Sequence, residues 1–475
     1  MTAKEPAGRT RIAIIGGGIS GVATAYQLAL EKKQKSIDFV LFEASDRLGG
    51  IVETRRCHGF VIECGPDSWV SEKPWARDLA VELGLGAEII PSNDAQRRTY
   101  LLEDERLMPM PDGMRMMVPT DLAALRQSPM FSAEAIASYE AEPGRAAELR
   151  AAALQAGTDE SVASFVRRHY GDEVVEKIAG PLLAGVFGGS IDTLSVRAVM
   201  PAFVKMEQEH GSLMTALQQR ARADRSPGSV FTTLATGLGT LIDAMAAVIP
   251  HESIRQRTPV HRIERDGGRW RIATAAGAES FDAVVVATPA HVTRELLSPL
   301  DPRFNSLLAM EATSAIVVAL AFAPEQAAGL KVPPGFGFLV PQRANAVSTP
   351  SLLACTFVNQ KFLHRAPEGG VLLRGFFGGE AAPALLEESN ERLIARTRDQ
   401  LSRLLGPLPV PVETVVRRWP RSLPQYAVGH LERGAELEGL AGSMPGLMLV
   451  GNAYHGVGLP DLIRDGRAAA RKLLH

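Results

Sequence analysis

Short apolar runs alternate with longer amphipathic stretches along the chain, a pattern that predicts an α/β fold. The clearest stretch is the N-terminal one. Residues 11–15 (RIAII) predict a buried strand, glycines 16–18 a tight turn, and residues 19–31 a helix. A second apolar run, 37–42, predicts a strand ending at Glu43. Far downstream, Thr258-Pro259-Val260 starts a strand, and 282–288 (DAVVVAT) reads as a buried parallel strand stopped by Pro289. Residues 446–450 predict a further strand, followed by a helix from about Asp461 to the end. In the middle, Thr120/Asp121 and Ser161 offer helix caps. Val162, Phe165, Val166 and His169 recur at helical spacing before Gly171. Runs 316–322, 337–340, 352–358 and 371–377 predict an antiparallel sheet.

Residues 12–30 carry no charge, but they are not read as a membrane span or signal peptide. Gly16, Gly17, Gly18 and Gly21 fall in that run, and each interior glycine costs a lone helix roughly 1 kcal/mol. The 475 residues give a prior of about three domain-sized units. Lys+Arg 51 against Asp+Glu 53 leaves a formal charge of −2, which argues against a nucleic-acid partner. Three cysteines (Cys57, Cys64, Cys355) exclude a disulfide scaffold and a four-thiolate zinc site, and suit reduced thiols in the cytoplasm; no metal site is expected.

The turn is where chemistry enters. GGGISG, with Ile19 and Ser20 inside it, matches G-x-G-x-x-G at Gly16, Gly18 and Gly21. The first glycine allows the turn, the second lets main chain approach a pyrophosphate, and the third lets helix pack on strand. The helix N-terminus offers free N–H groups to the anion. Glu43 follows the last motif glycine by about the interval at which an acid binds ribose hydroxyls, and its charge disfavours a 2′-phosphate. Ala44 and then Arg47-Leu48-Gly49-Gly50 suit a second pass of backbone along a long dinucleotide, leading to Ile51. Only one such motif occurs, so electrons are expected to enter from an organic substrate rather than from NAD(P)H.

These N-terminal pieces resemble the FAD-binding signature of the amine-oxidase/desaturase flavoproteins. With GPDSWVSEKP, GPLLAGVFGGSIDTLSVRA, RWPRSLPQYAVGH and GNAYHGVGLPD added, the chain resembles the protoporphyrinogen/coproporphyrinogen oxidases of haem biosynthesis over nearly its whole length. The resemblance implies a discontinuous Rossmann-type FAD-binding domain (1–92, 227–292, 420–475). It implies an α+β substrate domain on a mostly antiparallel sheet (93–112, 200–226, 293–419) and a helical insert (113–199). It carries FAD contacts onto Gly16–Gly21, Glu43, Ala44, Arg47, Gly49, Gly50, Ile51, Gly65, Pro66, Asp67, Ser68, Val260, Trp419, Gly451, Asn452, Val457, Gly458 and Leu459. The FAD is expected to be non-covalent, because no cysteine lies in the C-terminal loop.

The implied reaction removes a hydride from a porphyrinogen bridge carbon and a proton from a pyrrole nitrogen, repeatedly, with oxygen as acceptor. The nitrogen lone pair drives hydride departure, so the protein's task is placement of the bridge C–H about 3–3.5 Å from the flavin. Substrate-positioning candidates are Arg97 or Arg98 for a propionate, Gly185 and Phe187 for main chain beside the ring, and Asp67. No residue is assigned as a catalytic base; His430 and His455 are set aside as packing or hydrogen-bonding groups. Residues 107–113 and 118–120, together with Gly65-Pro66-Asp67-Ser68, resemble the coproporphyrinogen-type branch of the family, and this resemblance favours coproporphyrinogen III over protoporphyrinogen IX. The alternatives are an amine oxidase or carotenoid-type desaturase, and a flavin-free Rab escort-type protein. Clustered Met108, Met110, Met114, Met116 and Met117 motivate a hypothesis of peripheral contact with the inner face of the cell membrane, and a homodimer stays open.

Overall fold

The computed structural model describes residues 9–153, 158–223, 228–341 and 352–474. Of the expected units, residues 1–8, 227 and 475 of the FAD-binding part, 154–157 of the insert, and 224–226 and 342–351 of the substrate part lie outside the described residues.

Strand β1 (Thr10–Ile15), helix α1 (Ile19–Glu31) and strand β2 (Ile37–Phe42) form where the apolar pattern places them. β1 is central in a five-stranded parallel sheet. β2 and then Ile254–Arg255 lie on one side, Ala283–Val286 and then Leu447–Leu449 on the other. Both faces are covered, which is why β1 and Ala283–Val286 are almost uninterrupted apolar runs. One face packs on α1 and the helices Trp75–Glu82, Gly239–Val248 and Leu459–Lys472. The other packs on Trp270 and Phe281 of an antiparallel meander and on the helices Ala290–Leu297 and His430–Gly442.

The C-terminal helix starts at Leu459, ahead of the expected Asp461. Gly458 is its N-cap, and Pro460 suits the first turn because it has no N–H to leave unpaired. This helix crosses α1 closely enough for the Thr24 hydroxyl to donate to the Gly466 carbonyl at 3.0 Å. A side chain on Gly466 would overlap the Ser20 carbonyl.

The second unit is a seven-stranded sheet in the order Glu413–Pro424, Ala312–Phe322, Val371–Phe377, Ala354–Phe357, Gly337–Leu339, Thr99–Glu103, Arg106–Pro109. All pairs are antiparallel except Gly337–Leu339 with Thr99–Leu101. The run 352–358 is strand only over Ala354–Phe357, and Val358 opens a helical turn. The strand Glu413–Pro424 was not anticipated; it pairs along Ala312–Ala321, so the expected boundary at 419/420 falls inside it.

The third unit is helical. Asp121 accepts hydrogen bonds from Ala123 and Ala124 N–H, and Ser161 from Ser164 N–H, so both cap helices as expected. Val162, Phe165, Val166 and His169 are buried. The core of this layer also takes Phe203, Val204, Leu213 and Met214, and so continues past the expected end at 199. Most of the methionine cluster packs toward the helical core. Met117 is buried and Met108, Met110 and Met114 pack on the helical core, leaving Met116 exposed at 40%. No helix among the described residues is long and apolar enough to cross a membrane.

Candidate functional site

The turn between β1 and α1 is held by contacts only glycine permits. Gly16 has φ +105°, and a Cβ there would stand 2.6 Å from the Ala287 carbonyl oxygen. A Cβ on Gly21 would overlap the Gly16 carbonyl, so strand and helix touch at that point. Gly18 differs: a Cβ there would meet no protein atom within 4 Å. Its backbone, the N-cap of α1, borders open space. Gly17 N–H donates to Glu43 Oε2 at 2.6 Å and Ser45 N–H to Oε1 at 2.7 Å. The carboxylate is thereby fixed in place and keeps lone pairs for further donors.

The Arg47–Ile51 loop lies alongside this turn. Gly49 N–H donates to the Gly17 carbonyl at 2.8 Å, and a Cβ on Gly50 would stand 3.1 Å from the Gly18 Cα. Arg47 does not reach into the open space; it donates to the Leu48, Gly50 and Val52 carbonyls and stacks 5.6 Å over Trp419. These contacts tie Arg47 to its own loop. Glu53 then ties the loop to the seven-stranded sheet by accepting from Arg417 through Nε, at 2.8 and 2.9 Å, and through Nη2.

The next wall is the loop 64–68. A side chain on Gly65 would overlap the Ile51 carbonyl, so these two backbones lie in contact. Trp419 donates its indole N–H to the Cys64 carbonyl at 2.7 Å, and Arg374 donates to the Gly65 carbonyl. Asp67 meets Lys361 Nζ at 2.9 and 3.0 Å and Arg374 at 3.3 Å. Burial works against the Asp67 charge, but Lys361 and Arg374 outweigh it and hold the carboxyl well below the usual carboxylate range. Asp67 is therefore a fixed anion and a poor proton acceptor. Beneath it, Glu63 pairs with the fully buried Arg365 at 3.0 Å. Lys361, Arg365 and Arg374 were missed in the sequence, although an arginine inside the apolar strand VLLRGFF is a visible sign of a buried partner.

The C-terminal loop closes the arrangement. Gly451 and Gly456 have φ +136° and +138°. Asn452 donates its side-chain amide to the Ser422 carbonyl at 2.8 Å. Val457 packs against the helical core, as does Leu339 from the sheet. Gly185, on helix α2 (Gly180–Phe187), is exposed, and a Cβ there would meet only Leu339 Cδ2, at 3.5 Å. Val457, Leu339 and Gly185 thus come from three different layers of the fold. Phe187 is buried, and its carbonyl accepts from Thr313 and Gln425. Val260 opens the meander at the edge near Glu43, whose own carbonyl accepts from Thr258 N–H.

Arg97 and Arg98 precede the strand Thr99–Glu103. Arg97 lies 4.0 Å from Asp94 and one-third exposed; the Arg98 side chain has no ion pair among the described residues. His430 is buried, stacks on Tyr426 at 3.8 Å and bonds the Tyr454 carbonyl, with burial pushing its pKa down. His455 sits between Glu438 and Asp465, and the Asp465 hydrogen bond leads in raising its pKa. Both ring nitrogens of His455 have structural partners, as does His430 Nε2, whereas His430 Nδ1 is buried with none among the described residues.

Comparison with known proteins agrees with this architecture. Residues 19–474 match the family of flavin containing amine oxidoreductases. The chain is 34% identical to the coproporphyrinogen III oxidase of Bacillus subtilis, with 98% of each chain covered. It is 30% identical to protoporphyrinogen oxidase 1 of Arabidopsis thaliana, over 95% of this chain and 85% of that one. Among solved structures, a protoporphyrinogen oxidase candidate from Exiguobacterium sp. 255-15 superposes with a TM-score of 0.83 at 33% identity, covering 98% of both chains. A putrescine oxidase superposes at 0.67 with 17% identity, over 99% of this chain and 100% of that one, a likeness of fold alone. The glycine turn, the acid after β2 and the full-length matches converge: the chain belongs to the flavin containing amine oxidoreductase family.

Proposed function

We propose that this chain is an FAD-dependent oxidase that aromatises a porphyrinogen to a porphyrin in haem biosynthesis, with coproporphyrinogen III as the favoured substrate and oxygen as the acceptor. The observation that carries the reading is that similarity to coproporphyrinogen III oxidases covers 98% of the chain, and so includes the sheet and helical layer as well as the nucleotide unit. The glycine cradle fits the cofactor: open space lies before Gly18, where a Cβ would meet nothing, and N–H groups of the α1 N-terminus face it.

In this reading Gly16–Gly21 hold the pyrophosphate and Glu43 accepts the ribose hydroxyls. Gly49–Ile51, Gly65–Ser68, Val260, Trp419, Gly451, Asn452 and Val457–Leu459 line the rest of the cofactor. The bound FAD supplies the hydride acceptor. Binding is non-covalent: burial pushes the Cys64 thiol up to about 11, which keeps it a thiol, and Cys355 is buried in the sheet. The residues around Gly185, Phe187, Leu339 and Val457 present main chain and apolar side chains to the macrocycle, and Arg97 or Arg98 pairs with a propionate. No side chain has to move a proton during hydride loss, because the pyrrole nitrogen releases its own. The nucleotide, sheet and helical layers act as the FAD-binding, substrate-binding and insert parts, with the strand Glu413–Pro424 assigned to the sheet. No membrane-facing role is assigned to the methionine cluster.

The test is an aerobic fluorescence assay of the purified protein with each porphyrinogen. Porphyrin forms from both, and faster from coproporphyrinogen III. A strong preference for protoporphyrinogen IX would reverse the substrate assignment, and turnover of neither with flavin bound would overturn the reading.

A further inference from the structure

Two adjacent residues just past the strand Glu413–Pro424 hold opposite walls of the proposed site. Gln425 is buried, and its amide donates to the Phe187 carbonyl at 2.7 Å, the Leu423 carbonyl at 2.9 Å and Thr313 Oγ1 at 3.2 Å. Thr313 also donates to the Phe187 carbonyl, at 3.0 Å. Gln425 Oε1, in contrast, is buried with no partner, and a side chain on Gly189 would overlap it. The amide is thus spent on the last residue of α2. The unpaired buried carbonyl costs stability, while the amide and Thr313 together fix the Phe187 carbonyl.

Tyr426, the next residue, places its hydroxyl on the C-terminal loop. Its hydroxyl donates to the Asn452 carbonyl at 2.6 Å and accepts from Gly456 N–H at 3.0 Å, closing the C-terminal glycine loop. Its ring stacks on His430 at 3.8 Å and lies 6.3 Å from the Phe187 ring. The Tyr426 carbonyl accepts from Ser195 N–H at 2.7 Å, anchoring the same dipeptide to the helical layer.

We propose that Gln425 and Tyr426 are paired positioning residues, Gln425 setting the substrate wall through the Phe187 carbonyl and Tyr426 setting the flavin loop through Asn452 and Gly456. The assignment rests on the porphyrinogen oxidase reading for what occupies the two walls.

The test is the pair Gln425→Met and Tyr426→Phe in the holoenzyme, each of which keeps length and packing. Gln425→Met raises the KM for coproporphyrinogen III by about fivefold, the value of one hydrogen bond, with FAD affinity and the visible flavin spectrum unchanged. Tyr426→Phe weakens FAD affinity by about the same factor and shifts the flavin spectrum, with KM unchanged. Thermal unfolding checks that both variants fold. Equal effects of the two variants on KM and FAD affinity, or loss of thermal stability alone, would overturn the proposal. Should the wild-type protein bind FAD but leave porphyrinogens untouched, the functional reading falls, while FAD affinity and the flavin spectrum still judge Tyr426.

Discussion

Gly18 and Gly21 belong to one motif but meet opposite surroundings, and this gives a sharp test. At Gly18 an alanine methyl would touch no protein atom within 4 Å, and the backbone (φ −66°, ψ 175°) is open to any residue. Gly18→Ala therefore costs the fold little, up to about 1 kcal/mol for a poorer N-cap. The methyl instead fills space where the pyrophosphate must approach the backbone. Loss of one hydrogen bond to a charged group is worth about 1.5–3 kcal/mol, so FAD affinity falls by roughly 10- to 100-fold. Gly21→Ala acts on the protein itself, because its methyl overlaps the Gly16 carbonyl and lies 3.3 Å from Ala287 Cβ. Overpacking of that kind costs about 1–3 kcal/mol. The assay is flavin content after purification, FAD titration of the apoprotein by flavin fluorescence, and thermal unfolding of both variants without FAD. Wild-type FAD affinity in a folded Gly18→Ala variant would show that the cofactor does not pass this glycine, and the cradle would be refuted.

Other expectations follow from the buried charges. His169 is fully buried between Glu142 and Glu207, at 3.1 and 3.0 Å. Burial alone would lower its pKa, but the two carboxylates outweigh that and raise it above 6.5. The resulting stability is full below pH 6.5 and is lost as pH rises through the raised value, so the Tm gap between wild type and His169→Gln narrows from pH 6 to pH 9; a constant gap would contradict the account. Asp67→Asn leaves Lys361 and Arg374 without their anion and costs about 3–5 kcal/mol in denaturant unfolding, whereas a surface pair such as Arg403–Asp399 gives at most ~1 kcal/mol. In the proposed reading one of Arg97 and Arg98 meets a propionate remote from the reacting carbon, so replacing both by alanine raises the KM for coproporphyrinogen III more than kcat changes in steady-state assays.

The parts of the fold legible in the sequence are those set by local pattern. β1, the glycine turn, α1 and the Ser161 cap each depend on residues within a few positions, and each forms where its pattern places it. The strand Glu413–Pro424 escaped because it carries Arg417, Arg418, Arg421 and Pro420 with little alternation, and gains its partner from a strand about a hundred residues earlier. The packing of the methionine cluster was not legible, because spacing alone does not say which way a short hairpin faces, and here the helical core takes most of it. In the glycine turn, Gly16 and Gly21 were readable because close backbone approach demands them. Lys361 and Arg374 were not, because their partner Asp67 is close only after the sheet has folded. Arg47 can offer charge to a ligand or fix the loop, and its contacts with the Leu48, Gly50 and Val52 carbonyls support the loop-fixing role.

The most direct measurement is anaerobic mixing of the FAD-loaded protein with coproporphyrinogen III while flavin absorbance is followed, with oxygen admitted afterwards. The account predicts rapid bleaching that coincides with porphyrinogen oxidation, then recovery of the yellow form and release of fluorescent porphyrin. Flavin that stays oxidised with coproporphyrinogen III and with protoporphyrinogen IX alike would contradict it.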